Sequence, residues 1–132
     1  MTDTTTDTTT DHTPTIDAYI DMWNETDPQR RAAHIERAWT PEGGYVDPAF
    51  QATGHAALND MVSDARSQFP GHTVVRTSGI DSHHHYLRFD WELRDGQGTA
   101  VLGGIDVAIV ADDGRLSGLA GFFGQVAALD AA

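Results

Sequence analysis

Apolar residues recur at two different spacings along the chain, and the change of spacing divides it. From residue 15 to residue 69 the period is helical. Ile16, Tyr19, Ile20 and Trp23 fall at i, i+3, i+4 and i+7 while Asp17, Asp21 and Asn24 turn away, which predicts an amphipathic helix opened by Thr15 as N-cap. Asp27-Pro28 supplies the N-cap and first-turn proline of a second helix. Its stripe is Ala32, Ile35 and Trp39, and Thr40-Pro41 ends it. After Gly43-Gly44 comes a short extended piece, YVDP. A third helix follows Thr53-Gly54, with Leu58, Met61, Val62, Ala65 and Phe69 on one face and Pro70-Gly71 as its stop.

Beyond residue 71 the period drops to two. HTVVRTSGI predicts a strand turned at Asp81-Ser82. In HHHYLRFDWELR, His83, His85, Leu87, Phe89, Trp91 and Leu93 share one face of a long strand. His84, Tyr86, Arg88, Asp90, Glu92 and Arg94 share the other. DGQG makes a hairpin turn into TAVLGGIDVAIVA, and DDG turns again into RLSGLAGFFG. Three helices interleaved with one short strand, then a meander of long strands, predict an α+β domain with the helices on one face of a mostly antiparallel sheet.

Asp106 breaks the pattern. It sits inside GGIDVAIV, where every other residue is apolar or glycine. A lone carboxylate in such a strand costs several kcal/mol unless it is paired, protonated or facing a wet cavity. With a two-residue turn between Asp95 and Gly98, Asp106 falls opposite Leu87 and beside His85 and Phe89. Gly104 then lies opposite Phe89 and leaves room there. A one-residue bulge moves Asp106 to the Arg88 side instead. Val101, Ile105, Val107 and Ile109 occupy the opposite face of the same strand. The helices cannot cover both faces, so a sheet-to-sheet homodimer is expected.

Length and composition narrow the function. At 132 residues the chain holds one domain, expected over residues 14–132, after a Thr/Asp-rich tail over residues 1–13 that has nothing to bury and is expected to be disordered. The absence of cysteine excludes disulfides and thiolate metal sites. There is neither a membrane-length apolar run nor a secretory leader, so a cytoplasmic location is expected. Twenty acidic against eight basic residues give a net charge of −12, which disfavours nucleic acid and anionic membranes as partners. His83 and His85 share a face but lack a third ligand at useful spacing, so no metal is expected. No phosphate-binding glycine loop or nucleophile elbow occurs.

Three segments carry a resemblance. YIDMWNETD, YVDPAFQATG and GGIDVAIVADDGRL, in this element order, resemble the nuclear transport factor two-like superfamily of cone-shaped α+β folds. That superfamily includes ketosteroid isomerases and SnoaL-like polyketide cyclases. The resemblance spans residues ~15 to 125 by element order and size. It implies a cavity enclosed between the three N-terminal helices and a curved sheet, and catalysis without a cofactor. Tyr19 and Asp106 match oxyanion-hole positions, and Asp47 matches the general base, although Asp47 before Pro48 also suits a turn cap. His85 facing an aspartate is similar to the superfamily's dehydratases. In a cone fold Trp23, Trp39, Phe50, Phe89 and Trp91 line the pocket as well as the core. Tyr45, Met61 and Phe122, with Phe123 as the alternative on the last strand, complete the expected lining for a small apolar, carbonyl-bearing ligand. The expected reaction is isomerisation, cyclisation or dehydration by proton transfer. The alternatives are a binding protein that uses the cavity without chemistry, or a dimeric scaffold.

Overall fold

The computed structural model describes residues 10–130. Three helices, α1 (Thr13–Asn24), α2 (Pro28–Ala38) and α3 (His55–Gln68), pack on seven strands. The strands are β1 (Trp39–Val46), β2 (Gln51–Thr53), β3 (Thr73–Arg76), β4 (Asp81–His83), β5 (Tyr86–Arg94), β6 (Ala100–Val110) and β7 (Leu116–Phe123). They form one open sheet in the order β2-β1-β7-β6-β5-β3, with β4 paired to β5 off that path. Only β1 and β7 run parallel; the other neighbours are antiparallel. This is the α+β arrangement that the two periodicities predict. Ile16, Tyr19, Met22, Ile35, Leu58 and Val62 from the helices bury against Trp39, Leu87, Phe89, Ala108, Leu116 and Leu119 from the sheet. Val101, Val107, Ile109 and Phe122 are exposed on the other side.

Several local expectations are corrected. Residues 1–9 of the expected tail lie outside the described residues, and helix α1 already begins at Thr13, with Pro14 in its first turn. Thr15 is not its cap: its hydroxyl donates to the Gly114 carbonyl at 2.8 Å and ties the helix to the β6–β7 turn. In α2 the buried residues are Arg31, Ile35 and Ala38, while Ala32 is exposed and Trp39 opens β1. The Arg31 guanidinium turns inward because it finds acceptors on two other segments. It donates to the Glu25 carbonyl, to Asn59 and to the Ser63 hydroxyl.

The histidine run is a turn, not the start of a long strand. His84 has φ 52°, a left-handed conformation that stops strand pairing, so His83 ends β4 and pairs with Tyr86 of β5. Asp81-Ser82, expected as a turn, lies in β4. The β5–β6 register also differs from the two-residue turn. Asp95 and Thr99 close a longer loop, a bulge follows Leu93, and Asp106 pairs with Phe89 instead of Leu87. A slip of two preserves the face, so Asp106 still points to the helices. Gly104 is therefore opposite Trp91. No void remains there: a Cβ would lie 1.9 Å from the Phe122 carbonyl oxygen and 2.8 Å from the Trp91 ring, so β7 and the indole fill the space.

Candidate active site

Between the helices and the sheet lies a cavity with about 100 Å³ of room for water-sized molecules, open to solvent at its mouth. Three side chains point into it from the two strands that flank β7. Tyr45 and Asp47 are two residues apart around the end of β1, and Asp106 projects from the middle of β6. Helix α1 adds Tyr19 and Trp23 from its apolar stripe. The Tyr19 hydroxyl donates to Oδ2 of Asp106 at 2.8 Å. The Tyr45 hydroxyl donates to Oδ2 of Asp47 at 2.5 Å. Oδ1 of Asp47 accepts the backbone N–H groups of Ala49 and Phe50 at 2.7 and 2.8 Å, a turn that the sequence DPAF sets up.

These groups converge around Gly121 of β7, which pairs with Asp106. A Cβ on Gly121 would stand 3.0 Å from Oδ1 of Asp106, 3.2 Å from Cβ of Asp47 and 3.3 Å from the Tyr45 hydroxyl. A side chain there would crowd both carboxylates and the phenol. Asp106 is 3% exposed, and its Oδ1 is buried with no hydrogen-bond partner; the same holds for Nε1 of Trp91.

Burial dominates the electrostatics. It pushes the Asp106 carboxyl up from 3.8 to about 7. The Tyr19 hydrogen bond pulls the other way, as does the Trp91 indole N–H, which stops short of hydrogen-bond geometry; the nearby Asp47 raises it further. Burial, and then the Asp106 charge, push the Tyr19 hydroxyl well above the ordinary phenol range. The same two causes, in the same order, raise Tyr45. Both phenols therefore stay protonated as donors, while Asp106 changes charge close to neutral pH.

Of the expected chemical residues, Tyr19, Asp47 and Asp106 line one cavity and His85 does not. The turn at His84 carries His85 outward. Its Nδ1 donates to the Val110 carbonyl at 3.1 Å, Nε2 lies 4.0 Å from Asp112, and the side chain is 64% exposed. Of the expected lining, Trp23, Tyr45, Phe50 and Trp91 face the cavity. Trp39, Met61 and Phe89 sit behind it in the core. Phe122 pairs with Ile105 on the outer face and is 59% exposed; Phe123, one residue on, takes the inner place with its ring edge-on to Trp91. Sequence reasoning missed Arg66 and His72, which line the mouth. It also missed Tyr45 as the partner of Asp47, although their spacing of two puts them on one face.

No family model matches the chain, and no curated protein does. Solved structures do match. A protein from Agrobacterium tumefaciens assigned as an isomerase of the SnoaL-like family is 34% identical, covering 86% of this chain and 97% of its own, with a TM-score of 0.81. Two more distant structures share the fold. An NTF2-like protein from an Exiguobacterium species is 18% identical over 85% of this chain and 99% of its own, at TM-score 0.66. A protein from Sinorhizobium meliloti assigned as a polyketide cyclase is 12% identical over 81% and 92%, at TM-score 0.63. The fold is thus NTF2-like, and the chain belongs to the SnoaL-like family.

Proposed function

We propose that the protein is an acid/base catalyst that moves a proton on a small, apolar, carbonyl-bearing molecule held in this cavity, using its own side chains and no cofactor. The observation that carries this reading is Asp106, which lines the cavity with one oxygen tied to Tyr19 and the other buried without a partner. In its neutral form that second oxygen holds the proton and donates it as a hydrogen bond to a carbonyl oxygen, most strongly as the oxygen becomes an enolate. Ketosteroid isomerase uses an aspartic acid in this way. Asp47, on the other side of Gly121, takes the proton from the carbon beside the carbonyl. It then returns the proton to a second carbon, or the enolate attacks within the molecule. Tyr19 acts through Asp106, because its only proton is committed there.

Proton–deuteron exchange beside the carbonyl of a panel of cyclic ketones, followed by NMR in deuterated water, tests this without knowledge of the natural substrate. Asp47→Asn is expected to lower the exchange rate by about 10²- to 10⁴-fold while ketone binding persists. Exchange by the wild-type protein no faster than buffer would leave a binding protein. The three hydrogen bonds on Asp47 favour that second reading, since they give the residue a turn-capping job of its own.

The same reading pairs two copies through the outer sheet face. Val101, Val107, Ile109 and Phe122 form its exposed apolar row, and Arg88, Asp90, Glu92 and Arg94 on β5 border it with both signs of charge, as a two-fold contact requires. Sedimentation as a monomer at micromolar concentration would remove the dimer.

A further inference from the structure

The cavity has two ends of different chemistry. At its base, Tyr19 is 1% and Asp106 3% exposed; at its rim, Phe69 is 38% and Phe123 37% exposed. Between them the wall is apolar, with Trp23, Val74, Leu93 and Leu102. Half-buried at the rim, in the last turn of α3, stands Arg66. One of its five N–H groups donates to the Trp23 carbonyl at 2.9 Å. Among the described residues no carboxylate lies within 4.0 Å of it, as is also true of Arg31, Arg37 and Arg76, whereas Arg30, Arg88, Arg94 and Arg115 each pair with at least one. With 20 acidic residues against 8 basic, carboxylates are not scarce in this chain. His72 lines the same rim. Its Nδ1 must carry a proton to reach the Pro70 carbonyl at 3.0 Å, which holds the ring in place against Phe69.

We propose that the cavity's ligand is an oxo acid: its carbonyl reaches Asp106, its apolar body fills the middle, and its carboxylate pairs with Arg66 at the mouth. The deep end of this assignment rests on the function proposed above; the mouth stands on Arg66. A guanidinium fork matches a carboxylate in two parallel hydrogen bonds. The overall charge of −12 repels anions, so an unpaired cation at the entrance is what lets one approach. The simpler role for Arg66 is to hold the end of α1 through the Trp23 carbonyl, and that role predicts no selectivity among ligands.

A 4-oxo-4-arylbutanoate and its methyl ester differ in charge and little in shape. Trp23 and Trp91 line the cavity, so tryptophan fluorescence titration reads the binding of each directly. The wild-type protein is expected to prefer the acid by about tenfold. Arg66→Gln keeps an N–H for the Trp23 carbonyl and is expected to abolish the preference by weakening the acid alone. Equal wild-type affinities overturn the oxo-acid assignment and leave the catalytic reading standing, and this comparison needs no variant. A preference that survives in Arg66→Gln also overturns it. If neither probe binds the wild-type protein, the cavity reading falls and takes this one with it.

Discussion

Arg31 and Asp106 are the two charged residues most completely buried among the described residues, at 2% and 3% exposure, and they are satisfied in opposite ways. The Arg31 guanidinium finds an acceptor for each nitrogen, on the loop after α1 and along α3. Asp106 has one partner and one bare oxygen. Burying a charge is costly in both places. At Arg31 the hydrogen bonds repay that cost by clamping three helices together, so the residue explains itself. At Asp106 part of the cost stays unrecovered in the free protein, and only a ligand or a proton recovers it. Saturation, more than burial, separates the structural charge from the functional one.

The largest effect should come from the saturated site. Arg31→Met keeps the apolar stem but strips the Glu25 carbonyl, Asn59 and Ser63 of their donor, and is expected to cost roughly 3 kcal/mol or more of unfolding free energy. Because no group that titrates near neutrality contacts it, that loss should be the same in urea melts at pH 5 and pH 9. A loss confined to one end of that range would break the contrast.

Asp106 should behave in the reverse sense. Its folded-state pKa is the higher one, about 7 against 3.8, so the native protein keeps a proton that the unfolded chain releases. Stability then falls as pH climbs from about 4 to about 7 and is level above. At roughly 1.4 kcal/mol per pKa unit, ionisation costs the fold on the order of 4 kcal/mol. Asp106→Asn does not ionise. It should match the wild type near pH 4 and exceed it by roughly 2–4 kcal/mol at pH 9, a rare gain from changing a buried polar residue. Exchange activity that depends on the neutral acid should fall through pH 7 in the wild type and lose that limb in the variant. A variant less stable than wild type at pH 9 would show that Asp106 is as structural as Arg31.

The two sites also differ in how far the sequence disclosed them. Asp106 was legible because a strand has only two faces: a register slipped by two residues still left it pointing at the helices. Tyr19 was legible from the helical stripe, and Asp47 from a segment that resembles one in the ketosteroid isomerases. Arg31 was not, because a charge in a helix reads as solvated until partners from distant segments are placed beside it. His85 failed for another reason. Alternation counts residues and cannot see the sign of φ, so the left-handed turn at His84 was invisible to it. Arg66 and His72 lie at a helix end and in the loop after it, where no period identifies a face.

The smallest effect sharpens the comparison most. Tyr19→Phe removes the one hydrogen bond that Asp106 does make, at a cost of about 1 kcal/mol. That bond favours the ionised carboxylate, so without it the Asp106 carboxyl should titrate still higher than it does now. Carbon-13 NMR of the labelled carboxyl reads the shift directly, and the falling limb of the exchange rate should move to higher pH with it. Arg31 offers no parallel, since removing any one of its several acceptors leaves the others in place. If the Asp106 titration moved down instead, Tyr19 would be favouring the neutral acid. The bare oxygen would then be the carbonyl side of the carboxyl and could not donate to an enolate.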